Sequence, residues 1–507
     1  MSRRPVAGAG GPAEQRELTS RLARDFVDEY LRSADRSAIV RAVAGYRLLV
    51  LTANTDDTRI AALSGLSASR QLLFEARGLS GDIEDAIERG AAALESPGPT
   101  RSRSRHLANL GNAYRVRFEE VSSDLADLRA GLQHAWDALE EEAPPHVRAQ
   151  RLSNFGLLLR LRFEAMGRRD DIDESVDVFE EALELIDPAQ GPLIQSNAST
   201  SRRLRGTRYG IIKDLLEAAR LSSLASRSAA MPDHLRVGLL INAAQPSLDL
   251  FHLTGDFAHL EPASRALRLA LTLVDPESAD RPIVLLNLAS VERLLATATS
   301  RPGRRADEAV FLARAALDAL PPHHPDRPRY LAAVGRAIRA RHTVEGGSDD
   351  ARESVRYRAL AADYRGGDPY ERTLSAYMAG RWATEDGDHP TALRYLLSAL
   401  ELLPTVVWIG LERATVLSHA ADWQDLARDV AASAVQNDRS AVAVAALERG
   451  RTIYWNHVTG FPEDSLRLRR ADHDLGERLD RIGEQLAAAR AAAERKLGTT
   501  RDEPASK

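Results

Sequence analysis

The chain of 507 residues contains no cysteine. That excludes disulfides, thiolate-ligated metals and a cysteine nucleophile together. Lysine is almost missing too: of 68 basic residues, all but Lys213, Lys496 and Lys507 are arginine. None of the three follows a glycine, so the standard Gly-Lys-Ser/Thr loop that cradles nucleotide phosphate is excluded. His-Glu-x-x-His and Gly-x-Ser-x-Gly are also absent, and with them the usual zinc-peptidase and serine-hydrolase signatures. Aromatic residues amount to 5%, and no uninterrupted apolar run approaches the roughly 18 residues of a spanning helix. Met1-Ser-Arg-Arg-Pro leads into Gly and Ala without a long apolar core, which is no secretory signal. The expected setting is cytoplasmic. A net charge of −5 gives no broad field to draw nucleic acid or an acidic membrane.

What the chain does contain is helix formers and a repeat. Ala, Leu, Arg and Glu dominate, a composition suited to closely packed helices. Leu107-Ala-Asn109-Leu110-Gly111, running to Arg115-Val-Arg117-Phe118-Glu119, returns 45 positions later as Leu152-Ser-Asn154-Phe155-Gly156 and Arg160-Leu-Arg162-Phe163-Glu164. A second periodic run follows each copy, as in a solenoid of helical hairpins. Small residues seven apart mark the second helix of each unit. The pairs are Ser37/Ala44, Ala86/Ala93, Ser175/Ala182, Ala218/Ala225, Ala263/Ala270, Ala309/Ala316, Ser354/Ala361 and Ala392/Ala399, with Leu128/Ala135 as the one large exception. They predict nine hairpins whose neighbours cross closely at those positions.

Leu63, Leu66 and Phe74 repeat the first-helix offsets, as do Leu240, Asn242 and Phe251, and Leu331, Val334, Gly335, Arg339, Arg341 and His342. Prolines at 97, 144, 188, 232, 276, 321, 369 and 404 are read as helix exits. The stretch 193–210 fits poorly, with Arg202, Arg203, Arg205 and Arg208 where an apolar face is expected. The unit around Gly380, Ala392, Ala399 and Pro404 comes nearest the tetratricopeptide pattern of roughly 34 residues.

The expected fold is therefore all-α, a right-handed α-solenoid of tetratricopeptide-like hairpins followed by a C-terminal helical hairpin or coiled-coil segment. The expected divisions are a disordered tail over 1–17, the solenoid over 18–404, further solenoid helices over 405–460, a terminal helix over 461–498, and a disordered end over 499–507. Leu22, Phe26, Tyr30 and Leu31 are placed on one face of the first helix. Leu468, Leu475, Leu479, Ile482 and Leu486 fall at heptad spacing in the last helix.

Two longer passages bear a resemblance. They are His324-Pro-Asp-Arg327 ahead of Tyr330-Leu-Ala-Ala-Val-Gly335, and Leu403-Pro404 with Val407-Trp408-Ile-Gly410-Leu411-Glu-Arg413-Ala414. The second continues through Leu426-Ala427, Asp429, Leu447-Glu448-Arg-Gly450-Arg451, Trp455, Asp474-Leu475 and Glu477-Arg478-Leu479. This order resembles the tetratricopeptide region of bacterial, actinobacterial-type CHAT proteins, where helical repeats precede a caspase-like peptidase domain. The resemblance covers about residues 35 to 490. With no cysteine in the chain, no catalytic residue carries over. It implies a sensing and scaffolding part that acts on a separately encoded caspase-like protein, or else a fragment of a CHAT protease.

Other candidates have plainer readings. His323, His324 and Asp326 between prolines read as a solvated loop rather than metal ligands. The pairs Arg115/Arg117, Arg160/Arg162 and Arg339/Arg341 could grip an acidic peptide. Members two apart point in different directions, however, so local pairing with Glu119 or Glu164 is expected. Arg101, Arg103 and Arg105, and Arg202 to Arg208, lack the interleaved aromatics of a nucleic-acid surface and read as exposed loops. Trp408, Trp423 and Trp455 read as core. The expected function is non-enzymatic binding of a protein or peptide in a groove between repeats. No catalytic, cofactor, metal or partner-binding residue is singled out.

Overall fold

Small residues on both helices of a hairpin let their backbones approach to hydrogen-bonding range. Ser67 Oγ donates to the Ala86 carbonyl at 2.6 Å, Ser175 Oγ to the Gly156 carbonyl at 2.8 Å and Ser199 Oγ to the Ala218 carbonyl at 2.8 Å. A Cβ placed on Gly111 would lie 3.1 Å from the Gly131 carbonyl, and one on Gly335 the same distance from that of Ser354. The seam thus has two sides, and the sequence pattern exposed only one. Its members stand nineteen residues apart in four cases. In Gly111/Gly131 they stand twenty apart.

The computed structural model describes residues 11–96, 103–187, 191–228, 231–297, 302–406, 423, 425–459, 470, 472–475 and 477–478, with side chains of 453–459 excluded. Among these there is no strand. The helices are α1 Pro12–Ser33, α2 Arg36–Thr52, α3 Asp56–Arg77, α4 Ser80–Glu95, α5 Arg103–Arg117, α6 Leu125–Leu139, α7 Pro145–Met166, α8 Arg169–Glu184, α9 Pro192–Tyr209 and α10 Ile212–Ser226. They continue as α11 Asp233–Thr254, α12 Leu260–Leu273, α13 Arg281–Leu295, α14 Pro302–Asp318, α15 Arg327–Glu345, α16 Ser348–Asp363, α17 Pro369–Glu385, α18 His389–Val406, α19 Leu426–Gln436 and α20 Ser440–Thr459. None is long and apolar enough to cross a membrane.

The chain forms two compact units, Met1–Leu312 and Ala313–Lys507. The division falls inside the stretch 18–404 that the sequence reads as one solenoid. In the first unit, consecutive helices pair as hairpins, and first helices of successive hairpins touch, as α3 does α5, α5 does α7 and α7 does α9. Asn109 donates across such a step to Ser64 Oγ (3.4 Å), Asn197 to Ser153 (3.5 Å) and Asn242 to Ser196 (3.3 Å). In the second unit α15/α16 and α17/α18 repeat the arrangement. Trp423 is buried there, edge-on to Tyr370 and Tyr377 at 5.8 and 5.7 Å.

Five first helices end on one device. The N–H of a left-handed residue bonds back to the carbonyl four positions earlier: Gly78 to Phe74, Gly167 to Phe163, Gly210 to Gly206, Gly255 to Phe251 and Gly346 to His342. Glycine fits because the left-handed region costs a side-chain-bearing residue about 1–2 kcal/mol. After α5 the chain makes a π-helical turn, Phe118–Ser122, and closes on Ser123 at φ +49°. One added residue widens the turn, which accounts for the twenty-residue spacing at Gly111/Gly131.

Most of the predicted seam is buried, from Ala86/Ala93 to Ala392/Ala399. Two expectations are corrected. Ser37 and Ala44 are exposed, and α2 buries Ala38, Ile39 and Ala42 instead, because its packed stripe lies one position over. Leu128/Ala135 is buried but is not the crossing pair, since the backbone of Gly111 meets α6 at Gly131, three residues further on, with Ala138 buried two turns beyond. In α1 the packed residues are Ala23, Phe26, Val27 and Tyr30, with Leu22 and Leu31 exposed. That helix begins at Pro12, inside the expected tail, because Pro12 occupies its first position and Glu14 reaches back to the Gly11 N–H. Pro404 lies within α18 rather than ending it, two residues before its last residue, Val406. Pro97, Pro188, Trp408, the side chain of Trp455 and the expected heptads, apart from Leu475, lie outside the described residues.

Candidate functional site

The Arg-x-Arg residues divide between two tasks. Arg115 and Arg160 pair with Glu119 and Glu164 one turn on, as expected. Arg339 reaches Glu385 at 2.6 Å and Asp386 at 2.8 Å on the next hairpin. The second arginine of each pair turns inward to an aspartate at the third position of the following helix. Arg117 holds Asp127 and Arg341 holds Asp350, while Arg205 does the same for Asp214 and Arg162 for Asp171. Nine residues separate the partners in three of these and ten in Arg117/Asp127, where the π turn intervenes.

An acid in the first helical turn meets the positive end of the helix dipole, and a guanidinium fork satisfies both its oxygens. Burial alone would raise the Asp127 carboxyl, but hydrogen bonds from Arg117 and Ser122 together with the Arg117 charge hold it below its usual value. Asp82 is lowered in the same balance against Arg77 and Arg70. Arg202, Arg203 and Arg205 lie on helix α9, not on a loop, and pair with Asp214, Asp249 and Asp173 among others. The stretch 193–210 is therefore an ordinary first helix. Arg103 and Arg105 sit exposed on the first turn of α5, and Arg101 lies outside the described residues. His324 is a loop residue whose carbonyl accepts from Tyr364 at 3.0 Å and whose Nδ1 accepts from the Asp326 N–H.

These ion pairs hold the hairpins and leave other surfaces for contact. One opening in the first unit is a cleft of about 390 Å³ built by α6, α7 and α8. Leu128, Leu132 and Phe155 form its buried floor. Trp136 is 49% exposed, Leu125 43% and Met166 40%, and all three line the opening. The Trp136 ring lies 5.6 Å from that of Phe155, tilted by 55°. Arg129, Arg162, Arg168 and Glu174 complete the wall. Trp136 follows Ala135 on a helix whose other face packs inward, so helical period alone gave it no distinction from core tryptophans. Its neighbours Leu125, Leu132 and Met166 come together only through the fold.

A second cleft, of about 340 Å³ between α12 and α14, is lined by arginine, glutamate and serine side chains. At its base the wholly buried Glu292 accepts from Ser264 Oγ at 2.6 Å, Arg268 at 2.9 Å and Arg305 at 2.7 Å. Arg268 and Arg305 also reach Glu308 and Glu261. The acid here stands on the first helix and the arginine on the second, the reverse of the other hairpins.

No protein-family model matches the chain, and no curated protein does. Among solved structures, it is similar to a Signal Transduction ATPase with Numerous Domains bearing a tetratricopeptide repeat sensor, from Pyrococcus horikoshii. The identity is 9% and the TM-score 0.44, over 90% of this chain and 67% of that one. A Rap protein complexed with Competence and Sporulation Factor matches at 13% identity and TM-score 0.36, over 80% of this chain and 99% of the other. The S. pombe nuclear import adaptor Nro1 matches at 16% identity and TM-score 0.27, over 66% and 99%. At these scores none of them bears on a site in this chain.

Proposed function

We propose that this chain is a non-enzymatic helical-repeat scaffold that binds a protein or peptide partner, with the α6–α8 cleft as a contact point. The observation that carries the reading is the half-exposed Trp136 beside Leu125 and Met166 over a packed apolar floor. Exposed aromatic anchors over buried apolar pockets are where binding energy concentrates in protein interfaces. The residue resemblance described above supports a finer reading, in which the partner is a caspase-like effector regulated in trans.

The test is to pan a displayed random-peptide library on the full chain and on its Trp136→Ala variant. Peptides carrying a bulky apolar residue should be retained by the former and lost by the latter. Retention that ignores Trp136, or hydrolysis of the peptides by the purified chain, would overturn the proposal.

A further inference from the structure

Four hairpins place an arginine and an aspartate at equivalent positions, and one pair is joined differently from the rest. Arg205 meets Asp214 through Nε at 2.6 Å and a terminal nitrogen at 2.9 Å, and Arg341 meets Asp350 at 2.7 and 2.8 Å. Arg117 likewise engages Asp127 through Nε, at 2.8 Å, and a terminal nitrogen. Arg162 makes a single bond to Asp171, at 2.7 Å. Its Nε, like Asp171 Oδ2, is buried without a hydrogen-bond partner. Arg162 is also the member of the four that lines the Trp136 cleft. The two unsatisfied atoms belong to one ion pair, so this pair is joined less completely than its three counterparts, and it stands at an opening.

The rest of the wall agrees in sign. Arg129 and Arg168 are exposed on the cleft's edge, against one exposed carboxylate, Glu174. Arg162 with its buried counterion leaves the wall with one positive charge in excess, beside an apolar floor.

Resting on the scaffold reading above, we infer that the α6–α8 cleft recognises a partner segment in which a bulky apolar side chain is flanked by aspartate or glutamate. The apolar side chain fills the space between Trp136, Leu132 and Met166. The neighbouring carboxylate is drawn to Arg129 and Arg168. Charge complementarity of this kind fixes orientation and excludes basic segments.

The experiment uses the full chain and fluorescein-labelled Gly/Ser peptides bearing one central tryptophan, flanked by aspartates, by lysines or by serines, read by anisotropy at low and at physiological salt. The aspartate-flanked peptide should bind most tightly, and raised salt should weaken it. Arg129→Glu with Arg168→Glu should lower its affinity about tenfold and shift preference toward the lysine-flanked peptide. Equal binding of all three peptides, still lost in Trp136→Ala, would overturn this inference and leave the scaffold reading standing. Binding that Trp136→Ala does not change would overturn both. Sedimentation of the chain alone gives a further check: a dimer that Trp136→Ala dissociates would make a second copy the occupant and sink the inference.

Discussion

The main-chain N–H of Ser123 donates to the carbonyl of Phe118 at 3.1 Å across five residues, where Gly167 donates to Phe163 at 2.7 Å across four. The added residue is taken up by the π turn, and the Arg117/Asp127 pair and the Gly111/Gly131 crossing survive the insertion. Ser123 sits at φ +49°, where five other hairpins have glycine. Ser123→Gly should therefore stabilise the chain by up to about 1 kcal/mol. Gly78→Ala should destabilise it by about 1 kcal/mol, purely through conformation, because a Cβ there meets nothing within 4 Å. Urea midpoints for the two variants should move in opposite directions.

Asp82 and Asp127 are nearly inaccessible, and each is held by arginine. Replacing either by alanine removes charge-assisted hydrogen bonds from a partly exposed guanidinium and should cost about 1–3 kcal/mol. The pH dependence follows from their lowered carboxyl values. A group depressed in the folded state contributes stability above its unfolded value, near about 3.9 for aspartate, and loses it as pH falls through the folded value below that. The unfolding midpoint should hold from neutral pH down to about pH 4 and then drop. In Asp127→Asn the midpoint should start lower and drop less steeply; an unchanged acid limb would show that these pairs do not set it.

Glycine within a helix ordinarily costs about 1 kcal/mol against alanine. Gly238, inside α11, has nothing within 4 Å of where a methyl would stand, so it should behave that way and Gly238→Ala should stabilise. Gly111→Ala should do the reverse and destabilise by about 1–3 kcal/mol, since its Cβ would press on the Gly131 carbonyl at 3.1 Å and the Ala135 nitrogen at 3.3 Å. A gain from Gly111→Ala in thermal melts would refute the close crossing of α5 and α6.

The spacing of small residues was legible in the sequence because a crossing backbone tolerates no other residue type, and Ser175/Ala182 and Ala218/Ala225 are wholly or almost wholly buried. Register was legible only where loop lengths matched. One inserted residue before α6 sets the partner of Gly111 at Gly131, twenty residues on instead of nineteen, and composition gives no sign of a π turn. The Phe-x-x-x-Gly closure, at Phe74/Gly78, Phe163/Gly167 and Phe251/Gly255, stands in the letters, but its meaning shows only in the backbone bonds. The arginines of α9 looked misplaced because their acids lie on other helices: Asp214 on α10, Asp249 on α11, Asp173 on α8. The Trp136 cleft draws on three helices, and no single stretch encodes it.

Trp136 and Phe155 touch, yet they should answer differently to truncation. Phe155 is 6% exposed and belongs to the packed cluster of Leu128, Leu132 and Leu158, so Phe155→Ala should cost about 3–5 kcal/mol through lost burial and the cavity left behind. Trp136 is 49% exposed, and its ring adds one tilted contact to that cluster. Trp136→Ala should cost on the order of 1 kcal/mol, within the range of an aromatic pair plus partial burial. The check is equilibrium unfolding of both variants alongside peptide binding. A binding surface requires that Trp136→Ala keep its fold and lose its ligand. If Trp136→Ala unfolds as readily as Phe155→Ala, the tryptophan is a structural element of α6 and the cleft loses its anchor.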